Sequence, residues 1–171
     1  LVGSEMCIRD RTGMVFQNPD NQIVTDKVWH ELAFGLESLG YKSAEIRIRV
    51  AEMASYFGIQ DWFYKNVAEL SGGQKQLLNL ASIMAMHPDI LILDEPTRGI
   101  DVGTKIDIQK LVLDLASEGM SVTFISSETD EMLRTCSRLI VMRDRKVVGE
   151  LTGKDLTQAK IMSTIAGGDM E

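Results

Sequence analysis

The stretch ILILDEPT, residues 90–97, decides the fold class of this chain. Its first four residues are all apolar, and continuous apolar runs of this kind fill strands that are buried on both faces of a parallel sheet. The run begins after the helix-ending sequence His87-Pro88-Asp89 and ends in two carboxylates. Asp94 and Glu95 would therefore lie at the carboxyl end of a buried strand, where open α/β sheets bind their ligands. The alternative is a strand that simply ends in an acidic turn.

Strands and helices alternate on both sides of this run. Strands are predicted at 13–17, 121–126, 138–143 and 146–151, and helices at 26–38, after Ser43, and at about 72–86, 103–118, 128–136 and 155–166. This alternation indicates an α/β fold with a parallel sheet. The mainly helical stretch, about 26–88, is predicted to be a subdomain inserted into that sheet.

Composition narrows the class of protein. The chain has 171 residues, of which 44% are hydrophobic and 25% charged, as expected for one packed domain. Its net charge of -7 argues against a nucleic-acid partner, because such domains usually carry a basic face. Cys7 and Cys136 lack metal-ligand spacing and favour a reducing compartment. No apolar run approaches the roughly 18 residues of a membrane span, so a membrane function would need a spanning partner.

A second candidate site lies in ELSGGQKQ, residues 69–76, at a predicted helix start. Glycines such as Gly72 and Gly73 let the backbone approach an anion closely, and the free N–H groups of a first helical turn point at it. Ser71 adds a hydroxyl donor. The alternative is a glycine-rich helix entry that binds nothing.

The two stretches together closely resemble the ATPases of ATP-binding-cassette (ABC) transporters. LSGGQ, at 70–74, is the signature motif of that family, and DEPT, at 94–97, belongs to its Walker B region. The resemblance covers about residues 13–150. It implies a P-loop NTPase (RecA-like) sheet with an inserted helical subdomain, and ATP and Mg²⁺ as ligands. It also implies a peripheral position at the cytoplasmic face of the cell membrane, with a second ABC ATPase subunit, identical or different, and transmembrane permease subunits as partners.

The resemblance assigns roles to residues at the strand ends. Gln17, in VFQNPDNQ, falls at the family's Q-loop, which contacts the metal and the attacking water. Asp94 would support Mg²⁺ together with Gln17, and Glu95 would polarise the water. Ser127 occupies the position where the family usually has a histidine against the γ-phosphate. A serine can donate a hydrogen bond but cannot carry the charge of an imidazolium.

The resemblance also assigns roles to the helix start. Ser71, Gly72, Gly73 and Gln74 would bind the ATP held by a second subunit. Asp101, in RGID, falls at the D-loop, which links the two nucleotide sites.

Two rival functions remain open at this point. Ser127 favours a catalytically degenerate cassette that lends its LSGGQ face to a competent subunit without being an enzyme, whereas the intact Glu95 opposes it. A DNA-repair ATPase of the same superfamily is disfavoured because the stretch between Gln17 and Ser71 has no room for a long coiled coil.

The phosphate-binding motif G-x-x-x-x-G-K-[ST] is absent from the 171 residues. The nearest match, GELTGKD at 149–155, has three residues between its glycines and Asp155 in place of Ser or Thr. The family places this Walker A motif before the Q-loop, so the chain is expected to be truncated there and, by itself, to neither bind nor hydrolyse ATP. Residues 1–12 are expected to be a non-native leader, and 13–171 a partial ABC ATPase domain.

The two halves resemble different subfamilies. Residues 13–95 resemble the ATPases of energy-coupling-factor importers, which take up vitamins and metal ions. Residues 96–168 resemble the second cassette of ribose/galactose-type sugar importers. One hypothesis is a chimera joined at ILILDEPT, and the alternative is a single divergent cassette. The transported solute therefore stays open among vitamin, metal ion and sugar.

Overall fold

The structure, a computed structural model, describes residues 11–167. The chain divides into two compact units, Leu1–Ile125 and Ser126–Glu171. The predicted leader, residues 1–12, lies outside the described residues except for Arg11 and Thr12.

Three parallel strands form the sheet of the first unit. They are β1 (Thr12–Val15), β2 (Ile90–Asp94) and β3 (Ser121–Ile125), in the order β1-β2-β3. Leu93 of β2 lies opposite Val15 of β1 and Phe124 of β3. The apolar run is therefore the central strand, which confirms its prediction as a buried strand of a parallel α/β sheet.

Three helices lie between β1 and β2, and one joins β2 to β3. They are α1 (Val28–Ser38), α2 (Ser43–Tyr56), α3 (Gly72–Ala85) and α4 (Val102–Ser117), with short 3₁₀ turns at Pro19–Asn21, Gln60–Trp62 and Val67–Glu69. α1 packs on α3, and α3 packs on the sheet. Helix α3 lies close to β1 at Gly13, where an added Cβ would clash with Ile83 Cγ2.

The two faces of this sheet differ in burial. Partners in a parallel ladder point to the same side, so Val15, Leu93 and Phe124 share the face that α3 covers, and all three are buried. Met14, Ile90 and Ile125 belong to the opposite face. They are 40%, 43% and 45% exposed, which leaves that face open to solvent over the described residues.

The second unit is built on an antiparallel hairpin. It contains β4 (Arg138–Arg143), β5 (Lys146–Thr152), a 3₁₀ turn at Gly153–Asp155, and the helices α5 (Thr129–Thr135) and α6 (Gln158–Ala166). The predicted turn at Asp144 and Arg145 has both residues at positive φ, 52° and 64°, as in the two-residue turns that suit strand twist. Its core is formed by four buried residues, Leu139, Val141, Leu151 and Ile161. No described helix of either unit is both long and apolar enough to span a bilayer.

Candidate functional site

The two carboxylates of the strand end lie in a strained segment of backbone. Asp94 is the last residue of β2, and both it and Glu95 are half-buried. Glu95 has a φ of 46°, a left-handed conformation that costs a non-glycine residue about 1–3 kcal/mol. The Glu95 N–H donates to Ile125 O at 2.9 Å, which holds this conformation beside β3. Strain of this kind is frequent at functional sites, so the conformation of Glu95, at the end of the central strand, agrees with the role that its motif suggests.

Gln17 leaves the sheet at the same edge. It follows β1, which runs parallel to β2, so its exposed side chain lies at the carboxyl edge to which Asp94 belongs. The neighbouring backbone is fixed, since Phe16 N–H donates to Gln22 Oε1 at 3.0 Å and Gln22 Nε2 donates to Met14 O at 2.9 Å. The carboxamide of Gln17 is therefore accessible to solvent, while the backbone next to it is fixed by hydrogen bonds.

The start of α3 forms a capping box. Ser71 is the N-cap residue, and its Oγ accepts a hydrogen bond from Gln74 N–H at 3.2 Å. Gln74 Oε1 in return accepts from Ser71 N–H at 3.0 Å. The side chain of Gln74, predicted to bind ATP, is thus used within the cap. The Ser71 O–H and the amides of Gly72 and Gly73 have no hydrogen-bond partner within residues 11–167, so the predicted anion-binding face is partly retained.

The start of α4 packs against the second glycine. A Cβ at Gly73 would meet Thr104 Cγ2 at 2.8 Å, whereas a Cβ at Gly72 would meet nothing within 4 Å. Asp101 is the N-cap of α4, where its Oδ1 accepts from Thr104 N–H at 2.9 Å and its Oδ2 from the Thr104 hydroxyl at 2.8 Å. These bonds lower the pKa of the Asp101 carboxyl. The structure thus brings the D-loop residue one helical turn from the LSGGQ glycines.

Ser127 belongs to the second unit. It follows β3 and is exposed. Its neighbour Ser126 donates to Glu131 Oε2 at 2.7 Å and accepts from Glu128 N–H at 3.1 Å. Within this unit, Ser126 therefore holds the start of α5 through its contacts with Glu128 and Glu131.

Two polar residues of α3 were missed by the sequence reasoning. Gln76 and Asn79 are 2% and 0% exposed, and both donate to the loop that carries Gln17. The signal was present in LSGGQKQLLNLAS, because carboxamides at i and i+3 fall on one face of a helix that is otherwise apolar.

The residues at the strand ends could bind Mg²⁺ only together with oxygen atoms of a bound substrate. The described part of the chain contains no cluster of three or more His, Cys, Asp or Glu that could hold a metal by itself. Mg²⁺ is commonly held through one or two carboxylates together with substrate phosphates. Asp94, with Gln17 at the same edge, fits that donor set.

A parallel sheet with acidic residues at its carboxyl edge and an LSGGQ helix start with an exposed glycine fit the P-loop class of nucleotide-binding folds. The profile of the ABC transporter family matches residues 4–98. The chain belongs to this family.

Relatives of the chain carry related names. A putative ABC transporter ATP-binding protein of Bacillus anthracis is 44% identical over 138 residues, which are 80% of this chain and 25% of that protein. Energy-coupling factor transporter ATP-binding protein EcfA1 of Symbiobacterium thermophilum is 45% identical over 141 residues, 82% of this chain and 49% of that protein. The chain thus spans half or less of these curated relatives.

A solved structure shows the same fold. CbiO1 from Clostridium perfringens, part of the ABC transporter complex CbiONQ, matches with a TM-score of 0.81 and 30% identity over 94% of this chain and 64% of that one. These findings confirm the predicted resemblance to energy-coupling-factor ATPases. The resemblance of residues 96–168 to sugar importers, and the hypothesis of a join at ILILDEPT, stay predictions.

Proposed function

We propose that this chain is the ATP-binding and ATP-hydrolysing part of an ABC importer that energises uptake of a small solute, a vitamin, metal ion or sugar. It would act at the cytoplasmic face of the membrane, with permease subunits and a second ATPase subunit. The observation that carries the proposal is the coexistence of Asp94 and Glu95 at the end of the central strand with an exposed Gly72 at the start of α3. The names of the relatives support the importer class.

The two groups of residues would serve different nucleotides. Ser71 and Gly72 are exposed, whereas Gly73 is buried against Thr104, and a helix N-terminus favours an anion through its unpaired N–H groups and its dipole. We infer that this face contacts the γ-phosphate of ATP held by the second subunit. An open Gly72 with nothing within 4 Å of its Cβ position leaves room for that approach.

The strand end would handle the nucleotide of the chain's own site. Glu95 would accept a hydrogen bond from the attacking water and orient it, and Asp94 and Gln17 would hold Mg²⁺. When bound, Mg²⁺ supplies positive charge against the phosphate oxygens. Asp101, by capping α4 at Thr104, would keep that helix start against Gly73 and so link the two sites.

The 171 residues contain no G-x-x-x-x-G-K-[ST] motif. The backbone donors and lysine of that motif normally hold the β- and γ-phosphates. We therefore expect the chain alone to show no measurable Mg-ATP affinity in a calorimetric titration, and micromolar binding would contradict this.

One fusion tests the function directly. A strand–G-x-x-x-x-G-K-[ST]–helix segment from a competent ABC ATPase is placed before residue 13, and ATP binding and phosphate release are measured. If the proposal is correct, the fusion binds ATP and releases phosphate. The Glu95→Gln fusion should still bind ATP but release no phosphate, and the Ser71→Ala fusion should lose cooperative turnover. A fusion that fails to bind ATP would sink the proposal.

The degenerate cassette is the second candidate, and Ser127 in the usual histidine position favours it. This reading expects the same fusion to bind ATP without hydrolysing it. It also expects the fusion to stimulate a competent subunit whose own signature serine has been replaced by alanine, through Ser71 and independently of Glu95.

A further inference from the structure

We propose that Gln76 and Asn79 are positioning residues that tie the loop carrying Gln17 to helix α3, so that a change at the start of α3 is transmitted to Gln17. This inference rests on the proposed function, which assigns the start of α3 to one nucleotide and Gln17 to another. It adds a physical link between those two sites within one chain.

Both side chains donate to backbone carbonyls that flank Gln17. Gln76 Nε2 donates to Phe16 O at 3.0 Å, and Asn79 Nδ2 donates to Pro19 O at 3.3 Å. Since the two residues are three apart on a helix, they lie on one face of α3 and grip the loop at two points. Gln17 thus lies in a segment whose backbone is held on both sides by the same helix.

The oxygen atoms of the two carboxamides argue against a packing role. Gln76 Oε1 and Asn79 Oδ1 are both buried and have no hydrogen-bond partner among the described residues. Burying an unpaired polar atom is unfavourable, and an apolar side chain of similar volume would fill the same space without that penalty. Their N–H donors to Phe16 O and Pro19 O therefore give the reason for having carboxamides here.

The orientation of each carboxamide is fixed by its contact. Turning either group over would place its oxygen against a carbonyl oxygen, so the N–H groups must face the loop. A third contact also ties α3 to this loop, since Lys75 Nζ of the helix lies 2.7 Å from Oδ1 of the loop residue Asp20. This lysine pair is partly exposed and contributes less than the buried contacts.

The helix backbone connects these contacts to the nucleotide-facing end. Ser71 caps α3, and Gln76 lies in the second turn of that helix. A hydrogen-bonded helix moves as a rigid element over such a distance, so a shift at Ser71 displaces the Gln76 side chain together with Phe16 O. The loop therefore follows the position of the signature helix.

The first experiment measures the grip on the loop in the 171-residue chain, without nucleotide. Hydrogen exchange is followed by mass spectrometry over peptides that cover residues 14–22. Gln76→Met and Asn79→Leu remove the donors at similar volume, and each should accelerate exchange in this segment about fivefold, as expected for one lost hydrogen bond. Gln60→Met, at an exposed glutamine of a 3₁₀ turn, is the matched control and should leave the segment unchanged.

The second experiment measures the coupling. In the otherwise unchanged chain, Ser71→Ala should accelerate exchange over residues 14–22. Combined with Gln76→Met and Asn79→Leu, it should add nothing further in that segment, because the link is already lost. Additive effects, or single variants that exchange like the unchanged chain, would overturn the proposal. Gln76→Leu, which is smaller and also lacks a donor, gives a second variant should Gln76→Met fail to fold.

The outcome is separable from that of the proposed function. These exchange measurements involve no ATP, so their failure leaves the ATPase proposal intact, whereas failure of the fusion to bind ATP leaves the measured coupling intact. If both hold, Gln76→Met in the fusion should lower kcat about tenfold or more, as expected for a misplaced catalytic group, with KM for ATP within about twofold. An equal loss of kcat in Gln60→Met would contradict a specific role.

Discussion

At the scale of single residues, the two glycines of the signature motif are not equivalent. Gly72 has open space at its Cβ position, whereas Gly73 lies so close to Thr104 that a Cβ would come 2.8 Å from Cγ2. From the sequence alone, both glycines are predicted to bind an anion. In the structure, Gly73 is required for the close approach of α3 to α4, whereas Gly72 is exposed.

Alanine substitutions should separate these two roles. Gly73→Ala should lower the free energy of unfolding by about 1–3 kcal/mol, because Thr104 or the helix backbone must shift. Gly72→Ala should raise it by about 0.5–1 kcal/mol, since alanine is favoured in a helix, yet should weaken ATP-dependent pairing with a competent subunit. Urea unfolding of both variants measures the first effect, and the reverse order of stabilities would contradict the structure.

The cap of α4 should make stability depend on pH. Hydrogen bonds from Thr104 lower the pKa of Asp101 below its ordinary value of 3.8 in the folded chain. A lowered folded pKa contributes stability that is fully present above the unfolded pKa and is lost as the pH falls through the folded one. The stability difference between the unchanged chain and Asp101→Asn should therefore be constant from pH 7 to about pH 5 and shrink below about pH 4.

Urea titrations across this range give the measurement for Asp101. Asparagine is the appropriate comparison because it caps a helix nearly as well as aspartate but does not titrate. A difference that grows toward acid would show that the carboxyl pKa is raised instead.

At the scale of elements, the sequence predicts strands and long helices better than their ends. The buried run of β2 and the helices around it follow from apolar patterning, and the structure confirms them. The last helix is predicted from about 155 but begins at Gln158, because Gly153–Asp155 forms a 3₁₀ turn and Thr157 is the N-cap. Such boundaries depend on local hydrogen bonds, for which several polar residues in a row offer equal candidates.

The candidate site is predictable only in part. Asp94, Glu95 and the glycines are recognisable because they occupy a motif. The contact of Gly73 with Thr104 joins residues that are distant in sequence, so no local pattern specifies it, whereas the cap at Asp101 is a local contact with Thr104 of a kind that sequence can indicate. The grip of α3 on the Gln17 loop depends on the tertiary position of two carboxamides, which patterning alone classifies as polar residues on an apolar helix.

Helix α1 contributes a second anchor to the same region. Glu31 is 5% exposed, and its Oε2 accepts hydrogen bonds from Val24 N–H at 3.1 Å and Thr25 N–H at 2.8 Å. Glu31→Ala should lower the free energy of unfolding by about 1.5–3 kcal/mol, as expected for losing hydrogen bonds to a buried charged group. Glu31→Gln, which keeps an acceptor oxygen, should lose less in the same urea titration. Equal losses in both variants would contradict this role.

At the scale of the whole molecule, the open face of the first sheet is unusual. Parallel sheets are normally covered on both faces, yet Met14, Ile90 and Ile125 are exposed here. Exposed apolar surface of this kind promotes association. We therefore expect the isolated chain to bind the dye ANS and to sediment as a concentration-dependent mixture.

Substitutions on that face test the expectation. Met14→Thr, Ile90→Thr and Ile125→Thr together should lower dye binding and favour the monomer in sedimentation velocity, because threonine keeps the strand preference while reducing apolar area. Val147→Thr, at a residue 63% exposed on the hairpin of the second unit, is the matched control. If Val147→Thr reduces self-association as much as the triple variant does, the association does not depend on the open face of the sheet.

The order of the sheet also bears on how the chain reaches its native state. Thr12 pairs with Ile90, so the ladder between β1 and β2 closes a loop that contains α1, α2 and α3, whereas the ladder between β2 and β3 closes only α4. Chain entropy opposes the longer closure more, and sheets made of distant strands assemble slowly. On a ribosome, β1 would emerge before β2 and could pair with it only after α1, α2 and α3 had been synthesised, whereas β3 follows β2 after a single helix.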